Sequence, residues 1–278
     1  MIFSAGIDAT VPRALERGRA GTLRARVVSA LVLAPVAVAC IWAGGIAFEL
    51  LVGLAAAAMV IEWGRLTGAE ADGRRALVPV MIVGVAAVLV LTALGWLVSA
   101  VAAAGLAAAL AGALAAGSRL WPVLGVGYVA APMAAAIWLR GQPDIGRALV
   151  LWLVAVVWAT DIAAYFVGRT VGGPKLAPGI SPGKTWSGLG GGVAAAAAVG
   201  GALGALFGVR EPALLIAAGA AAAVVAQAGD LLESALKRRF GAKDAGALIP
   251  GHGGVLDRLD GLLTVSLAGA IVVATVLG

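Results

Sequence analysis

The chain has 278 residues, of which 62% are hydrophobic and only 12% are charged. A soluble domain is typically about 45–50% apolar and about 25% charged, so this composition excludes an ordinary soluble protein and indicates a polytopic integral membrane protein. The formal net charge of +6 does not indicate a nucleic-acid partner, because the cations lie between apolar stretches, as they do in the loops of membrane proteins.

A basic leader, residues 1–26, comes first and contains five arginines. We predict that it is cytoplasmic. Two interpretations of it stay open, namely a segment lying on the anionic surface of the membrane and a disordered basic tail.

Nine apolar stretches follow the leader, each near the length of about 20 residues that a membrane-spanning helix needs. They are residues 27–43, 46–63, 77–94, 96–116, 121–139, 148–168, 188–208, 212–228 and 259–277. We therefore predict an all-α polytopic integral membrane protein of about nine transmembrane helices, with residues 27–278 forming a single transmembrane domain.

The distribution of Lys and Arg predicts the orientation of these helices. If the N-terminus is cytoplasmic, all but three of the 20 Lys and Arg residues lie in the leader, loops and helix ends of the inner side, the exceptions being Arg140, Arg147 and Arg210. Cytoplasmic loops carry such an excess of cations. We expect the N-terminus in the cytoplasm, the C-terminus outside, and two polar segments, residues 160–188 and 227–260, on the cytoplasmic side.

The first polar segment contains "GISPGKT", which is close to a P-loop but is not one. Gly179 and Gly183 enclose three residues, where the P-loop requires four. What remains is a loop rich in Gly and Pro, in which Ser181, Lys184 and Thr185 offer hydroxyl and cationic donors for phosphate oxygens. An ordinary cationic loop is the alternative interpretation.

Three carboxylates lie within the first six predicted spans. Asp161 lies at the start of the first polar segment, and a carboxylate at that depth is expected to face a wet cavity or to hydrogen-bond another helix. Glu62 lies beside Arg65, where we expect an interfacial role, and Glu49 has no assigned role.

The second polar segment groups carboxylates with cations. Asp230, Glu233, Ser234 and Lys237 follow one another at i, i+3, i+4 and i+7, which places them on one face of a helix. Asp257 and Asp260 open the last span. Such a group suits a site where Mg²⁺, which prefers oxygen ligands, meets phosphates that are neutralised by Lys and Arg.

The run "SALKRRFGAKDAGALIPGHGGVLDRLD", residues 234–260, resembles the signature of the phosphatidate cytidylyltransferases (CDP-diacylglycerol synthases). The matching residues are Ser234, Lys237, Arg238, Lys243, Asp244, Pro250, Gly251, His252, Gly253, Gly254, Asp257, Arg258 and Asp260. The upstream "AYFVGR" and "KLAPGISPGKTWSG" resemble the same family. Ser187 stands where that family often has an acidic residue, so we assign it no role.

The resemblance implies transfer of the cytidylyl group of CTP to phosphatidate, giving CDP-diacylglycerol and pyrophosphate for phospholipid synthesis. It implies Mg²⁺, accompanied by a second cation, and a homodimer in membrane lipid, which we expect to be the bacterial inner (plasma) membrane. It suggests Asp230, Asp257 and Asp260 as metal ligands. The catalytic residues that we predict are Asp230, Lys237, Asp257 and Arg258, and the predicted substrate-binding residues are Asp161, Ser181, Lys184, Thr185, Arg238, Lys243, Asp244, His252, Gly253 and Gly254.

Several alternatives stay open. We interpret His252 as a donor to phosphate or a structural group, with a catalytic base as the second interpretation. A transporter of anionic substrates would also use buried charges, but it has no reason to gather them on one face of the membrane. A related enzyme acting on a polyprenol or an archaeal lipid is the nearer alternative.

Overall fold

The computed structural model describes residues 13–68, 76–115, 118–209, 211–249 and 253–277. Within these ranges the chain folds into nine α-helices and one small two-stranded sheet. The elements are α1 (Arg13–Ala43), α2 (Gly45–Leu66), α3 (Leu77–Ala93), α4 (Leu97–Leu114), α5 (Leu120–Arg140), α6 (Gly146–Thr170), β1 (Lys175–Ala177), β2 (Ser181–Thr185), α7 (Trp186–Leu206), α8 (Pro212–Arg239) and α9 (Leu256–Leu277).

The helical membrane architecture expected from the composition is confirmed. Seven of the described helices are long and apolar enough to cross a membrane, namely α2 and α4 to α9. Two shorter apolar segments, Val28–Ala43 within α1 and Leu77–Ala93, account for the remaining predicted spans. Many large hydrophobic side chains are exposed on the outside of the bundle, as in Val98 and Leu214, which is the surface that lipid requires.

Two helices extend beyond the predicted spans. Helix α1 already begins at Arg13, so the second half of the predicted leader is helical, while residues 1–12 lie outside the described residues. Helix α8 continues to Arg239 rather than ending near residue 228, because its polar C-terminal turns pack against other polar groups instead of lipid.

The first polar segment is not an irregular loop throughout, which corrects the all-α prediction locally. Strands β1 and β2 pair in antiparallel fashion, with Lys175 opposite Thr185. Gly172 and Gly173 lead into the hairpin with positive φ angles of 66° and 100°, a conformation that favours glycine. Thr185 then caps α7 by accepting a hydrogen bond of 3.1 Å from the amide of Gly188. The hairpin is thereby fixed to the ends of α6 and α7.

Small residues bring α7 and α8 into backbone contact. A Cβ atom at Gly200 would lie 2.7 Å from the carbonyl oxygen of Leu215, and a Cβ atom at Gly219 would collide with the carbonyl oxygen of Ala196. Since helices in membranes associate through close packing rather than through the hydrophobic effect, such glycines are structural requirements. They explain the Ala- and Gly-rich composition of α7.

Arg140 joins the C-terminal end of α5 to the C-terminal end of α1. Its Nε donates to the carbonyl oxygen of Ile41 at 2.7 Å and its Nη2 donates to that of Trp42 at 3.2 Å. The last carbonyl groups of a helix lack partners within the helix and attract cations. One of the three arginines that break the predicted charge bias therefore has a structural role.

We expect Gly219→Ala to lower the thermal stability of the purified protein in detergent. The added methyl group must displace backbone of α7, and overpacking of this kind costs about 1–3 kcal/mol. The matched control is Gly127→Ala in α5, where a Cβ atom meets nothing within 4 Å. Melting temperatures followed by size-exclusion chromatography after heating would show a drop for Gly219→Ala alone. Equal melting temperatures for both variants would contradict the close α7–α8 contact.

Candidate active site

Polar groups from four elements meet at one end of the helix bundle. The last turns of α8 carry Asp230, Glu233 and Lys237, and the first turns of α9 carry Asp257 and Asp260. Strand β2 brings further polar groups to the same place, and α2 reaches it with its C-terminal end. Both predicted polar segments therefore contribute to one site.

Lys237 connects the end of α8 to the start of α9. Its Nζ lies 2.5 Å from Oε2 of Glu233, one turn earlier in α8, and 2.7 Å from Oδ1 of Asp257. The side chains of Glu233 and Asp257 are only 3% and 4% exposed. A buried carboxylate needs a counter-ion and hydrogen bonds, and here one ammonium group serves two of them.

Lys184 makes the corresponding connection between the hairpin and α8. Its Nζ lies 2.5 Å from Oδ2 of Asp230, whose other oxygen accepts a hydrogen bond of 3.3 Å from Ser234. The ion pair brings the two predicted polar segments into direct contact. Among the residues predicted to bind substrate, Lys184 is therefore the one that the structure ties most closely to the carboxylates.

A glycine allows α8 and α9 to approach each other beside Asp230. A Cβ atom at Gly229 would lie 2.8 Å from the carbonyl oxygen of Asp260 and would collide with the side chain of Thr264. Thr264 in turn donates to the carbonyl oxygen of Val225 in α8 at 3.2 Å. The two helices are thus in close contact beside Asp230 and Asp260.

Three carboxylates form a group with the dimensions of a metal site. One oxygen from each of Asp230, Glu233 and Asp260 lies within 4.8 Å of the other two. Mg²⁺ binds oxygen at about 2.0–2.1 Å, so ligand oxygens on opposite sides of the ion are about 4 Å apart. The spacing of these carboxylates therefore fits a divalent cation.

The charges of the site fit a divalent cation as well. Counted as ionised, the three carboxylates and Asp257 carry four negative charges, and Lys184 and Lys237 supply two positive ones. Two negative charges remain without a counter-ion among these six side chains. Because unpaired charges are costly at a membrane boundary, a group of this composition favours binding a dication.

Asp257, which was predicted to bind metal alongside Asp230 and Asp260, contacts several donors in the structure. Besides the ion pair with Lys237, its carboxylate accepts hydrogen bonds from the amide of Ala245 at 3.1 Å and from that of Gly254 at 2.8 Å. These donors engage both of its oxygens and hold the segment between α8 and α9. Glu233 stands instead in the carboxylate group, and its i, i+3 spacing from Asp230 was the signal for it in the sequence.

Glu62 was predicted to be interfacial, and the structure corrects this. Its side chain is completely buried, and its two oxygens accept hydrogen bonds from the amides of Val255 at 2.9 Å and Leu256 at 2.8 Å. Those amides are at the start of α9, where backbone donors have no partner within the helix. Nothing in the local sequence of α2 indicates so distant a partner.

Tyr128 of α5 is a second residue of the site that the sequence analysis missed. The centroid of its ring lies 5.3 Å from that of Trp63. Its hydroxyl group is near enough to Glu233, Asp260 and Asp230 to interact electrostatically with their carboxylates. Its hydroxyl group is buried without a hydrogen-bond partner among the described residues. The sequence gives no indication of this, because Tyr128 is a single tyrosine flanked by apolar residues in a membrane helix.

The charged residues of the signature that were predicted to contact substrate, together with Arg258, divide into two groups. Arg258, Lys243 and Asp244 are exposed and make no ion pair in the described ranges of the chain. Arg238 is exposed too, but its Nε donates to the carbonyl oxygen of Ile180 at 3.3 Å and its Nη1 donates to that of Ala242 at 3.2 Å. Arg238 therefore fastens the tip of the hairpin to the end of α8.

The predicted hydroxyl and glycine residues have local structural partners. Thr185 is buried as the cap of α7, and its hydroxyl contacts that of Ser187, which also donates to the carbonyl oxygen of Gly172. Ser181 pairs with Ala177 in the hairpin. Gly253 has a φ angle of 84° and is bridged to Ile249.

Two predicted residues remain to be placed. Asp161 is exposed on α6, near enough to Asp230, Lys184 and Arg258 to interact electrostatically with them, so it borders the site. In the described structure it makes no hydrogen bond to another helix. His252 lies outside the described residues.

Comparison with known proteins identifies the family. The model of the "Cytidylyltransferase family" matches residues 24–276. A protein of Brucella suis named phosphatidate cytidylyltransferase is 41% identical over 253 residues, covering 87% of this chain and 89% of its own length. One of the same name from Pseudomonas aeruginosa is 38% identical over 255 residues, covering 86% of this chain and 93% of its own length. The match extends beyond the polar segments to the apolar helices, and the chain therefore belongs to the cytidylyltransferase family.

Proposed function

We propose that this protein is a phosphatidate cytidylyltransferase, which transfers the cytidylyl group of CTP to phosphatidate and forms CDP-diacylglycerol and pyrophosphate. The observation that carries the proposal is the group of carboxylates and lysines where α8, α9 and β2 meet, at one end of a membrane bundle. The relatives that bear this enzyme's name match the chain over most of its length. A reaction between a soluble nucleotide and a lipid phosphate requires such a site.

The lipid phosphate is the nucleophile and attacks the α-phosphorus of CTP, with pyrophosphate as the leaving group. The second pKa of a phosphate monoester is about 6, so phosphatidate arrives mostly ionised and no side chain has to remove a proton. Both reactants are anions, so the protein's main tasks are to neutralise charge and to align the reacting phosphates. We assign His252 to phosphate binding for the same reason.

The exposed cations at the site serve these tasks. Arg258 follows Asp257 directly at the start of α9, and Lys243 lies in the segment before it. A guanidinium group binds two phosphate oxygens at once, while an ammonium group acts as a point charge. We assign Arg258 and Lys243 to the phosphates, with Lys184 reaching them from β2 and Asp161 bordering the space for the lipid headgroup.

We propose Asp230, Glu233 and Asp260 as the residues that hold Mg²⁺. Mg²⁺ bound by carboxylates keeps several waters and shares its coordination sphere with phosphate oxygens, so it would neutralise charge on the triphosphate. Asp257, which the resemblance suggests as a further ligand, has amide and ammonium donors on both oxygens, and we assign it to fixing the start of α9. The second cation and the homodimer implied by the resemblance stay predictions.

We further propose that all nine helices cross the membrane, with the N-terminus and the site on the cytoplasmic side of the bacterial inner membrane. Helix α3 has 17 residues, which at about 1.5 Å per residue is near the lower limit for spanning. The site would then face the compartment that contains CTP. With the N-terminus in the cytoplasm, all but three of the Lys and Arg residues belong to the inner side, as the positive-inside rule expects.

The proposed reaction is tested by incubating the purified protein with labelled CTP, Mg²⁺ and a panel of lipids. We expect labelled CDP-diacylglycerol from phosphatidate, and little labelled product from polyprenyl phosphate or from an archaeal ether-linked phosphate. A preference for one of the other lipids would reassign the substrate within the family. Absence of any labelled lipid, with CTP left intact, would contradict the enzymatic proposal and favour transport.

The metal assignment predicts the effect of Asp260→Asn. The substitution keeps the size of the side chain and its ability to accept from the amide of Gly261, but it removes one anionic ligand. We expect the Mg²⁺ concentration for half-maximal activity to rise and turnover to fall about 10²–10³-fold, as when one group stabilising transition-state charge is lost.

Asp144→Asn is the matched control for this variant. Asp144 is exposed in the turn between α5 and α6, and its positive φ of 60° is well tolerated by asparagine. Its Mg²⁺ titration should equal that of the wild type. If Asp260→Asn also titrates like the wild type, Asp260 is not a ligand.

A further inference from the structure

The buried carboxylate of Glu62 has an unusual set of partners. It is completely buried, and in the described part of the chain no Lys or Arg forms an ion pair with it. Its partners are two consecutive backbone amides, those of Val255 and Leu256, almost 200 residues away in the sequence. A buried anion without a cationic partner persists only where other donors replace its hydration.

The N-terminus of α9 supplies that replacement. The first amides of a helix point outward without a partner, and the helix dipole places partial positive charge there. A carboxylate contributed by another helix therefore acts as the cap of α9. The amide of Gly254 donates to Asp257 instead, so two carboxylates, one from α2 and one from α9 itself, share three consecutive donors.

Two glycines adapt the segment before α9 to Glu62. A Cβ atom at Gly246 would lie 2.5 Å from Oε1 of Glu62, and a Cβ atom at Gly254 would lie 2.7 Å from each of its oxygens. The segment therefore encloses the carboxylate closely on two sides. A side chain at position 254 or 246 could therefore be accommodated only if the carboxylate of Glu62 moved.

From this geometry we propose that Glu62 is a positioning residue of the site, which fixes the start of α9 so that Asp260 faces Asp230 and Glu233. Asp260 lies one turn after Leu256, the residue whose amide Glu62 binds. Among the described residues no hydrogen bond joins Glu62 to the carboxylate group, and Glu62 acts through the backbone of α9. The inference deepens the proposed function, since it rests on the proposed metal site.

The test is Glu62→Gln, which keeps the shape of the side chain but replaces one acceptor oxygen with a donor that opposes a backbone N–H. Glu49→Gln is the matched control, because it makes the same change in the same helix, away from the site. Amide hydrogen exchange should accelerate in residues 253–262 of Glu62→Gln and stay at wild-type rates in Glu49→Gln. Affinity for Mn²⁺ alone, measured by electron paramagnetic resonance without substrates, should fall about 10–100-fold in Glu62→Gln only, as for groups that orient metal ligands.

A purely stabilising role predicts a different result. It would raise hydrogen exchange throughout the chain and leave Mn²⁺ affinity unchanged at a temperature where the variant is folded, and that outcome would overturn the proposal. Unchanged exchange in residues 253–262 would overturn it too. If Glu62→Gln does not purify, Gly246→Ala replaces it, because its methyl group must push the carboxylate aside. The same two changes, smaller in size, are expected there, and their absence would also overturn the proposal.

These readouts separate the inference from the proposed function. Exchange rates and Mn²⁺ binding are measured without CTP or lipid, so a wild-type protein that makes no CDP-diacylglycerol would refute the reaction and leave them interpretable. A wild-type protein that binds no Mn²⁺ would refute the metal site, and the exchange rates alone would then test whether Glu62 caps α9.

Discussion

The ion pairs of Lys237 are the interaction on which the rest of the site depends. One ammonium group lies between Glu233 at the end of α8 and Asp257 at the start of α9, at 2.5 and 2.7 Å. Without this cation, two almost completely buried carboxylates would repel each other at a membrane boundary, and removal of one partner from such a pair is strongly destabilising. Because Asp257 also holds the amides of Ala245 and Gly254, the same contact fixes the segment that connects the two helices.

The arrangement explains why so apolar a chain concentrates its polar residues in two segments. The glycine at position 229 lets α8 and α9 approach until Asp230 and Asp260 face each other, and the hairpin brings Lys184 to the same place. Thr185 is both the last residue of β2 and the cap of α7. The glycine-dependent packing of α7 against α8 therefore also positions the hairpin beside α8. Helices that are unremarkable as membrane spans therefore position a charged site at their ends. A bound dication would balance the remaining negative charge of the carboxylates, and the phosphate-binding cations would balance the charge of the substrates.

The sequence predicted the apolar helices and the two polar segments well, because hydropathy and the spacing of Asp230, Glu233 and Lys237 are local properties. It failed where the determinant is a distant contact. The role of Glu62 depends on a helix start that lies almost 200 residues later, and the position of Tyr128 depends on how α5 packs. The hairpin was missed because strands of three and five residues leave little trace in a segment rich in Gly and Pro. Asp257 belongs to the signature of the family, but only the structure shows that both of its carboxylate oxygens accept hydrogen bonds from other groups.

In the proposed metal site, Asp230, Glu233 and Asp260 are held in place by the contacts of Lys237 and Glu62. Anomalous diffraction from crystals of the protein grown with Mn²⁺ tests it most directly, since the peak marks the ion without reference to activity. We expect one strong peak in contact with the carboxylates of Asp230, Glu233 and Asp260. A peak bound by Asp257 after loss of its contact with Lys237, or no peak beside Asp230 at saturating Mn²⁺, would contradict it.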